Sequence, residues 1–120
     1  MCIRDRIKDT IHTREVDTAY MRGVDLLQKR RYAKALYNLL EYRDRNTVVT
    51  LLSLGHDAQA LEMLDGLEQS ATTEYLKAVA CSRLGRKVEG REHFLTACGM
   101  DKRMQYRGNL DPEITELLKQ

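Results

Sequence analysis

The chain has 120 residues, of which 42% are hydrophobic and 32% charged, and its formal net charge is +2. This balance is typical of a folded domain and excludes a disordered chain, and so small a charge gives no reason to expect a nucleic-acid partner. One proline, one phenylalanine and no tryptophan, beside many good helix formers, predict an all-α fold.

The first six residues, MCIRDR, are interpreted as foreign to the protein. They match the translation of a transposon-end adapter used to prepare sequencing libraries, so residues 1–6 are left out of the fold. Residues 7–16 are then expected to be the remnant of a truncated chain whose upstream domain is missing, and the sequence gives no cellular location. No apolar run reaches the roughly 20 residues of a membrane span.

Three segments between residues 17 and 101 share one pattern. Residues 19–42, 46–67 and 74–101 each contain an apolar helical stretch, a short turn and a second helical stretch. The turns read KRR, LGHD and LGRK. Repeated helix–turn–helix units of this kind predict a short α-solenoid.

Turn and cap residues suggest where the helices begin and end. Asn46 and Asp57 are predicted to cap the two helices of the second unit. Gly55 and Gly85 fit the left-handed position that ends a first helix, and Gly99 is expected to close the third unit.

The tail, residues 102–120, is predicted to be a loop followed by a capping helix at about 112–119. Asp111 is a candidate N-cap, and Pro112 suits the first helical position. This helix is expected to cover the open end of the stack.

The third unit carries the clearest family pattern, with Leu84 and Gly85 at the turn followed by Gly90, Phe94 and Ala97. The units resemble tetratricopeptide (TPR) repeats. The second unit matches at Leu54, Gly55, Ala60, Leu64 and Leu67, and the first at Gly23, Tyr32, Ala35 and Leu39. Family repeats run about 34 residues, whereas here 25 residues separate Ala35 from Ala60 and 30 separate Ala60 from Gly90. The proline that usually follows the second helix is also missing.

Small residues are expected where the two helices of each unit cross, because they let the helix axes approach to about 8–10 Å. The predicted crossing residues are Ala35, Ala60 and Gly90, with Leu39, Leu64 and Phe94 one turn further on and Ala97 beyond. An unrelated helical bundle with small residues at its contacts is the alternative.

The resemblance implies a non-catalytic module that binds a protein or peptide along the first helix of each unit. The implied groove residues are Tyr20, Val24, Leu27, Arg45, Val49, Leu52, Tyr75, Val79 and Arg83. Their chemistry suits an apolar peptide with an acidic group. Some members of the family bind the C-terminal tails of chaperones through a clamp of lysine and asparagine side chains, and these residues are absent from the matching positions here. The alternative for each side chain is packing within the stack.

Basic residues at two of the turns raise a second possibility. Lys29, Arg30, Arg31, Arg86 and Lys87 fall on one edge if the units are in register, as in a helical-repeat nucleic-acid binder. Solvated turns are the plainer interpretation, and no nucleic-acid partner is predicted.

An enzymatic alternative rests on adjacent His56 and Asp57, which resemble the pair of HD-type metal phosphohydrolases, with His12 and Asp111 as further ligands. A pair of neighbouring residues is weak evidence, so no catalytic residue, metal or cofactor is predicted.

The cysteines of the third unit, Cys81 and Cys98, are expected to act as small hydrophobes, or to form a disulfide in an oxidising compartment.

Overall fold

The computed structural model describes residues 18–119, and in this part of the chain every regular element is helical. The predicted all-α class is confirmed for these residues; the expectations for residues 1–6, 7–16 and 17 lie outside them. The first helix, α1, runs through the described residues 18–28. The other α-helices are α2 (Tyr32–Leu39), α3 (Arg45–Ser53), α4 (Asp57–Asp65), α5 (Ala71–Arg83), α6 (Lys87–Met100), α7 (Arg103–Asn109) and α8 (Pro112–Leu118), and a 3-10 turn (Leu40–Tyr42) follows α2.

Three tight turns join α1 to α2, α3 to α4 and α5 to α6, which we call hairpins 1, 2 and 3. Each turn contains one residue with positive φ: Arg30 at 61°, Gly55 at 81° and Gly85 at 77°. In each, the next amide donates to the carbonyl five positions earlier at 2.8–2.9 Å: Arg31 to Leu26, His56 to Leu51 and Arg86 to Cys81. This is a Schellman-type helix end, which glycine adopts without steric cost.

Two helix starts differ from the sequence prediction. Asp44, not Asn46, caps α3, because its carboxylate accepts the Thr47 amide at 3.0 Å. Asn46 lies inside the helix and donates to the Tyr20 hydroxyl instead. The N-cap of α4 is His56, and Asp57 is the first helical residue.

The last helix of hairpin 3 is longer than predicted. Gly99 does not end it, since α6 continues to Met100 and Asp101 follows as C-cap.

The helices from α2 to α6 pack mainly against their neighbours along the chain, and α5 with α6 forms the largest helix–helix contact. Two buried apolar clusters lie among these helices and the C-terminal ones. The first joins α3, α4 and α5, and the second joins α5, α6, α7 and α8. The residues expected at helix crossings are all buried: Ala35, Leu39, Ala60, Leu64, Gly90, Phe94 and Ala97.

Glycine permits the closest helix contacts. A Cβ added to Gly23 of α1 would lie 2.6 Å from a methyl carbon of Leu39 on α2. At Gly90 it would lie 2.6 Å from a Leu117 methyl carbon and 3.2 Å from the Cys81 Cβ. Gly90 therefore makes room for α8 as well as for its hairpin partner α5.

The C-terminal segment contains one more helix than predicted, because α7 occupies most of the stretch expected to be a loop. The final helix begins as predicted, with Pro112 at its first position and the Asp111 carboxylate accepting the Glu113 amide at 3.0 Å. Ile114 and Leu117 of α8 are fully buried. None of the helices in the described range is both long and apolar enough to cross a bilayer.

Candidate partner-binding surface

Side-chain hydrogen bonds link the first helices of the hairpins to one another, and link the last of them to α8. Three side-chain hydrogen bonds link α1 to α3, α3 to α5 and α5 to α8: Asn46 donates to the Tyr20 hydroxyl, Arg83 donates to the Leu52 carbonyl, and Ser82 donates to the Glu113 carbonyl at 2.8 Å. We call α1, α3, α5 and α8 the first-helix row. All nine groove residues expected from the sequence belong to it.

Tyr20 fills the junction between hairpins 1 and 2. Its ring lies edge-to-face against Tyr42, with ring centres 5.0 Å apart. Burial, and then the hydrogen bond to the Asp44 carboxylate, raise the pKa of Tyr20. The Tyr20 side chain is therefore partly occupied by contacts between hairpins 1 and 2. Tyr20 lies ten positions before Arg30, the positive-φ residue of the hairpin-1 turn. Tyr75 lies ten positions before Gly85, the corresponding residue of hairpin 3.

Tyr75 is only 1% exposed, so it does not lie on an open surface. Its hydroxyl donates to the Asp111 carboxylate at 2.8 Å, and the Arg107 guanidinium lies 4.3 Å from its ring centre. Burial, and then Asp111, raise the pKa of Tyr75 well above its ordinary value. The two tyrosines thus occupy equivalent positions, and each reaches the start of the next helix in the row.

Arg83 connects four helices. Its Nε donates to both carboxylate oxygens of Glu113 at 2.8 and 2.9 Å, and its Nη1 donates to Asp57 at 3.1 Å. The same Nη1 donates to the Leu52 carbonyl at the end of α3. The guanidinium predicted to meet a ligand is therefore bound by carboxylates of this chain.

The remaining groove residues divide by exposure. Leu52 and Val79 are buried, at 5% and 8% exposed. On α1 and α3, Val24, Leu27 and Val49 are partly buried and Arg45 is exposed. We call these last four residues the α1–α3 surface; they are the expected groove residues that stay at least partly accessible outside the Tyr20, Tyr75 and Arg83 contacts. Val49 also packs with part of its side chain against the first buried cluster.

A buried polar cluster that was not predicted from the sequence lies at the junction of α4, α5 and α6. The Glu74 carboxylate is buried, 3.3 Å from His93 Nδ1 and 3.3 Å from the Lys77 ammonium. Gln69 donates to Glu74 at 3.4 Å, and Lys77 lies 3.6 Å from Asp65. Burial raises the pKa of Glu74, but the His93 hydrogen bond and Lys77 outweigh it and hold the pKa below its ordinary value. Only the spacing of Glu74 and Lys77 signals this cluster in the sequence.

Those residues of the enzymatic alternative that the structure describes do not form a metal-binding group. His56 is exposed at a turn, Asp57 pairs with Arg83, and Asp111 caps α8; His12 lies outside the described residues. In residues 18–119 no three His, Cys, Asp or Glu side chains are grouped as a metal site requires.

Both cysteines of the described range are free thiols. Cys81 belongs to the first buried cluster and Cys98 packs against the second. Burial raises the pKa of both thiols, which favours their protonated form.

The basic residues at the turns, Lys29, Arg30, Arg31, Arg86 and Lys87, are all exposed. Lys29 pairs with Asp25 at 2.9 Å and Lys87 lies 3.8 Å from Glu116, so two of these charges have carboxylate neighbours.

Comparison of the chain with protein-family models, curated proteins and solved structures finds no match. Function is therefore inferred from the chain's own geometry.

Proposed function

We propose that this chain is a non-catalytic protein-binding module. It is a short solenoid of three TPR-like hairpins closed by α8, and its α1–α3 surface binds an apolar peptide that carries an acidic group. The partner is a protein or peptide, and no cofactor takes part.

Repeated backbone geometry supports the solenoid. The residue that precedes the second helix has φ and ψ of −93° and 72° at Arg31, −86° and 61° at His56, and −91° and 69° at Arg86. The small residue of each hairpin follows four positions later. Because Arg30 adopts the conformation that glycine provides in the other two turns, the three turns share a backbone path despite different sequences.

The composition of the α1–α3 surface supports the ligand class, and this is the observation that carries the proposal. Val24, Leu27 and Val49 offer apolar contact on neighbouring helices of the row, and Arg45 adds an exposed guanidinium. Aliphatic side chains bury apolar groups of a peptide, while arginine holds a carboxylate through paired hydrogen bonds. The two together favour an apolar peptide with an aspartate, a glutamate or a free C-terminus.

Selection from a random peptide library against the full chain tests the proposal. We expect enrichment of apolar peptides with an acidic group, and fluorescence anisotropy then measures their affinity. Val49→Lys should weaken binding at least about tenfold, because it places an ammonium group among the apolar contacts. Leu95→Lys is the matched control, since Leu95 is an exposed leucine on α6, outside the first-helix row.

A library that yields no specific peptide contradicts the proposal. So does a set of peptides whose affinity falls equally in Val49→Lys and Leu95→Lys. Circular dichroism melts of both variants establish that the fold is retained.

A further inference from the structure

Two carboxylates of α8 bind the part of the first-helix row where an acidic ligand was expected. Asp111 accepts the Tyr75 hydroxyl at 2.8 Å, and Glu113 accepts two hydrogen bonds from Arg83 Nε at 2.8 and 2.9 Å. Ser82 donates to the Glu113 carbonyl at 2.8 Å. The acidic end of α8 is therefore fixed by four hydrogen bonds from α5.

The apolar side of α8 completes the contact. Ile114 and Leu117 are fully buried and share a cluster with Val79, the remaining expected groove residue of hairpin 3. Gly90 leaves the space that the Leu117 methyl groups fill. Every α8 residue outside this contact is exposed: Pro112, Thr115, Glu116 and Leu118. The helix is thus an acidic, amphipathic segment lying on hairpin 3.

We infer that hairpin 3 recognises an acidic amphipathic helix, and that α8 occupies this place until a partner helix of the same pattern displaces it. The pattern is an acidic N-cap, a second acid two positions later, and apolar residues three and six positions after the cap. Asp111, Glu113, Ile114 and Leu117 define it in this chain. The inference rests on the proposed function, and it names the partner class for the hairpin-3 end of the row.

The structure of α8 suits displacement. Seven residues form it, fewer than the roughly 12–15 that an isolated helix needs in water, so its helicity depends on docking. Only Leu110 and Asp111 separate it from α7. A helix held by two buried side chains and the hydrogen bonds of Asp111 and Glu113 should open at a lower free energy than α5 and α6, which contact each other most extensively.

A labelled peptide copying residues 109–119 tests the inference on the full chain. In Glu113→Lys the new ammonium faces Arg83, so the chain's own α8 should detach and the peptide should bind at least about tenfold more tightly than to the wild type. Glu116→Lys is the control, because it makes the same charge change on the exposed side of α8, near Lys87 and Lys119. A peptide that itself carries the Glu113→Lys change should not bind.

Hydrogen exchange on the wild-type chain gives an independent readout that needs no variant. We expect the α8 amides to exchange through local opening, while α5 and α6 exchange only with global unfolding. Exchange of α8 only with global unfolding overturns the inference, because α8 is then an integral part of the core. A folded Glu113→Lys variant that binds the peptide no better than Glu116→Lys also overturns it. If Glu113→Lys fails to fold, the exchange result decides.

These outcomes are distinct from those of the proposed function. A library without specific peptides contradicts the proposed function itself. Peptides that respond to Val49→Lys but lack the α8 pattern and bind equally to Glu113→Lys contradict only the present inference.

Discussion

Small side chains have a particular role where helices of this chain meet. Ala60 is fully buried four positions after the N-cap of α4, as Ala35 is in α2 and Gly90 in α6. At such a contact each added methylene must displace a neighbouring helix, because protein interiors are close-packed. The size of these residues therefore sets how closely the hairpins pack.

Replacing Ala60 by leucine should overpack the α3–α4 contact. We expect Ala60→Leu to lower the free energy of unfolding by about 1–3 kcal/mol. Ala58→Leu on the exposed side of α4 should change it by less than about 0.5 kcal/mol. Urea denaturation of the three proteins measures both values, and equal stabilities would contradict the close helix contact.

Because Gly85 has a positive φ, a side chain at this position should strain the backbone whatever the packing around it. No atom lies within 4 Å of a Cβ added at Gly85, so Gly85→Ala should cost about 1–2 kcal/mol through backbone strain alone. Gly99 has equally open surroundings but lies inside α6, where Gly99→Ala should stabilise by about 0.5–1 kcal/mol. Thermal denaturation should show shifts of opposite sign; shifts of the same sign would refute the turn geometry.

Some local features of single residues were predictable from sequence, although the caps of α3 and α4 were not, and no distant partner was. The turn positions of Gly55 and Gly85 and the cap at Asp111 follow from backbone preferences over a few residues. The Tyr75–Asp111 hydrogen bond joins residues 36 apart, and only the folded chain brings them together. The sequence therefore indicated the residue types of the groove but not which of them α8 covers.

At the scale of helices, Glu74 stabilises the junction of α4, α5 and α6 through its charge. Its folded-state pKa is lowered from the ordinary value of a glutamate, so the carboxylate binds protons less readily in the folded than in the unfolded chain. Its stabilisation is present above the unfolded pKa and is lost as pH falls through the folded pKa.

Glu74→Gln should remove this pH dependence. We expect a loss of about 1–3 kcal/mol at pH 7, because His93 and Lys77 lose their charged partner. The difference from the wild type should shrink as pH falls through the pKa of the Glu74 carboxyl, because the wild type then loses the same charge. Denaturant unfolding over this range is the measurement, and a constant difference would show that the Glu74 charge contributes nothing.

A second prediction for the helices concerns the stabilising effect of Arg83, since its side chain joins α3, α4, α5 and α8. Arg83→Ala should lower the free energy of unfolding by about 1.5–3 kcal/mol, because Glu113, Asp57 and the Leu52 carbonyl lose a charged donor. Arg86→Ala, at an exposed position three residues on, is the control. Chemical denaturation that finds equal effects in the two variants would contradict the bridging role.

The helices that were predicted have apolar residues at helical spacing or, as in α8, a clear start signal in Asp111 and Pro112. α7 was missed because it has seven residues, no side-chain cap, and only Met104 and Gly108 buried. Such a helix depends on contact with α6 and α8, so its own sequence signals it weakly.

For the whole molecule, the repeated pattern predicted a fold of helical hairpins more securely than it predicted an open groove. The pattern repeats because each hairpin needs the same turn and the same small contact residue. The pattern does not indicate which element covers the last hairpin. Here α8 covers hairpin 3, and the accessible part of the expected groove is the α1–α3 surface.

The measurement that tests this account most directly is backbone-amide NMR of the full chain during titration with a library-selected peptide. We expect saturable shift changes on α1 and α3, centred on Val24, Leu27, Arg45 and Val49, with Val88 on the exposed side of α6 unchanged. Shift changes confined to α6 or to the hairpin turns, or none that saturate, would contradict a peptide-binding surface on the first helices.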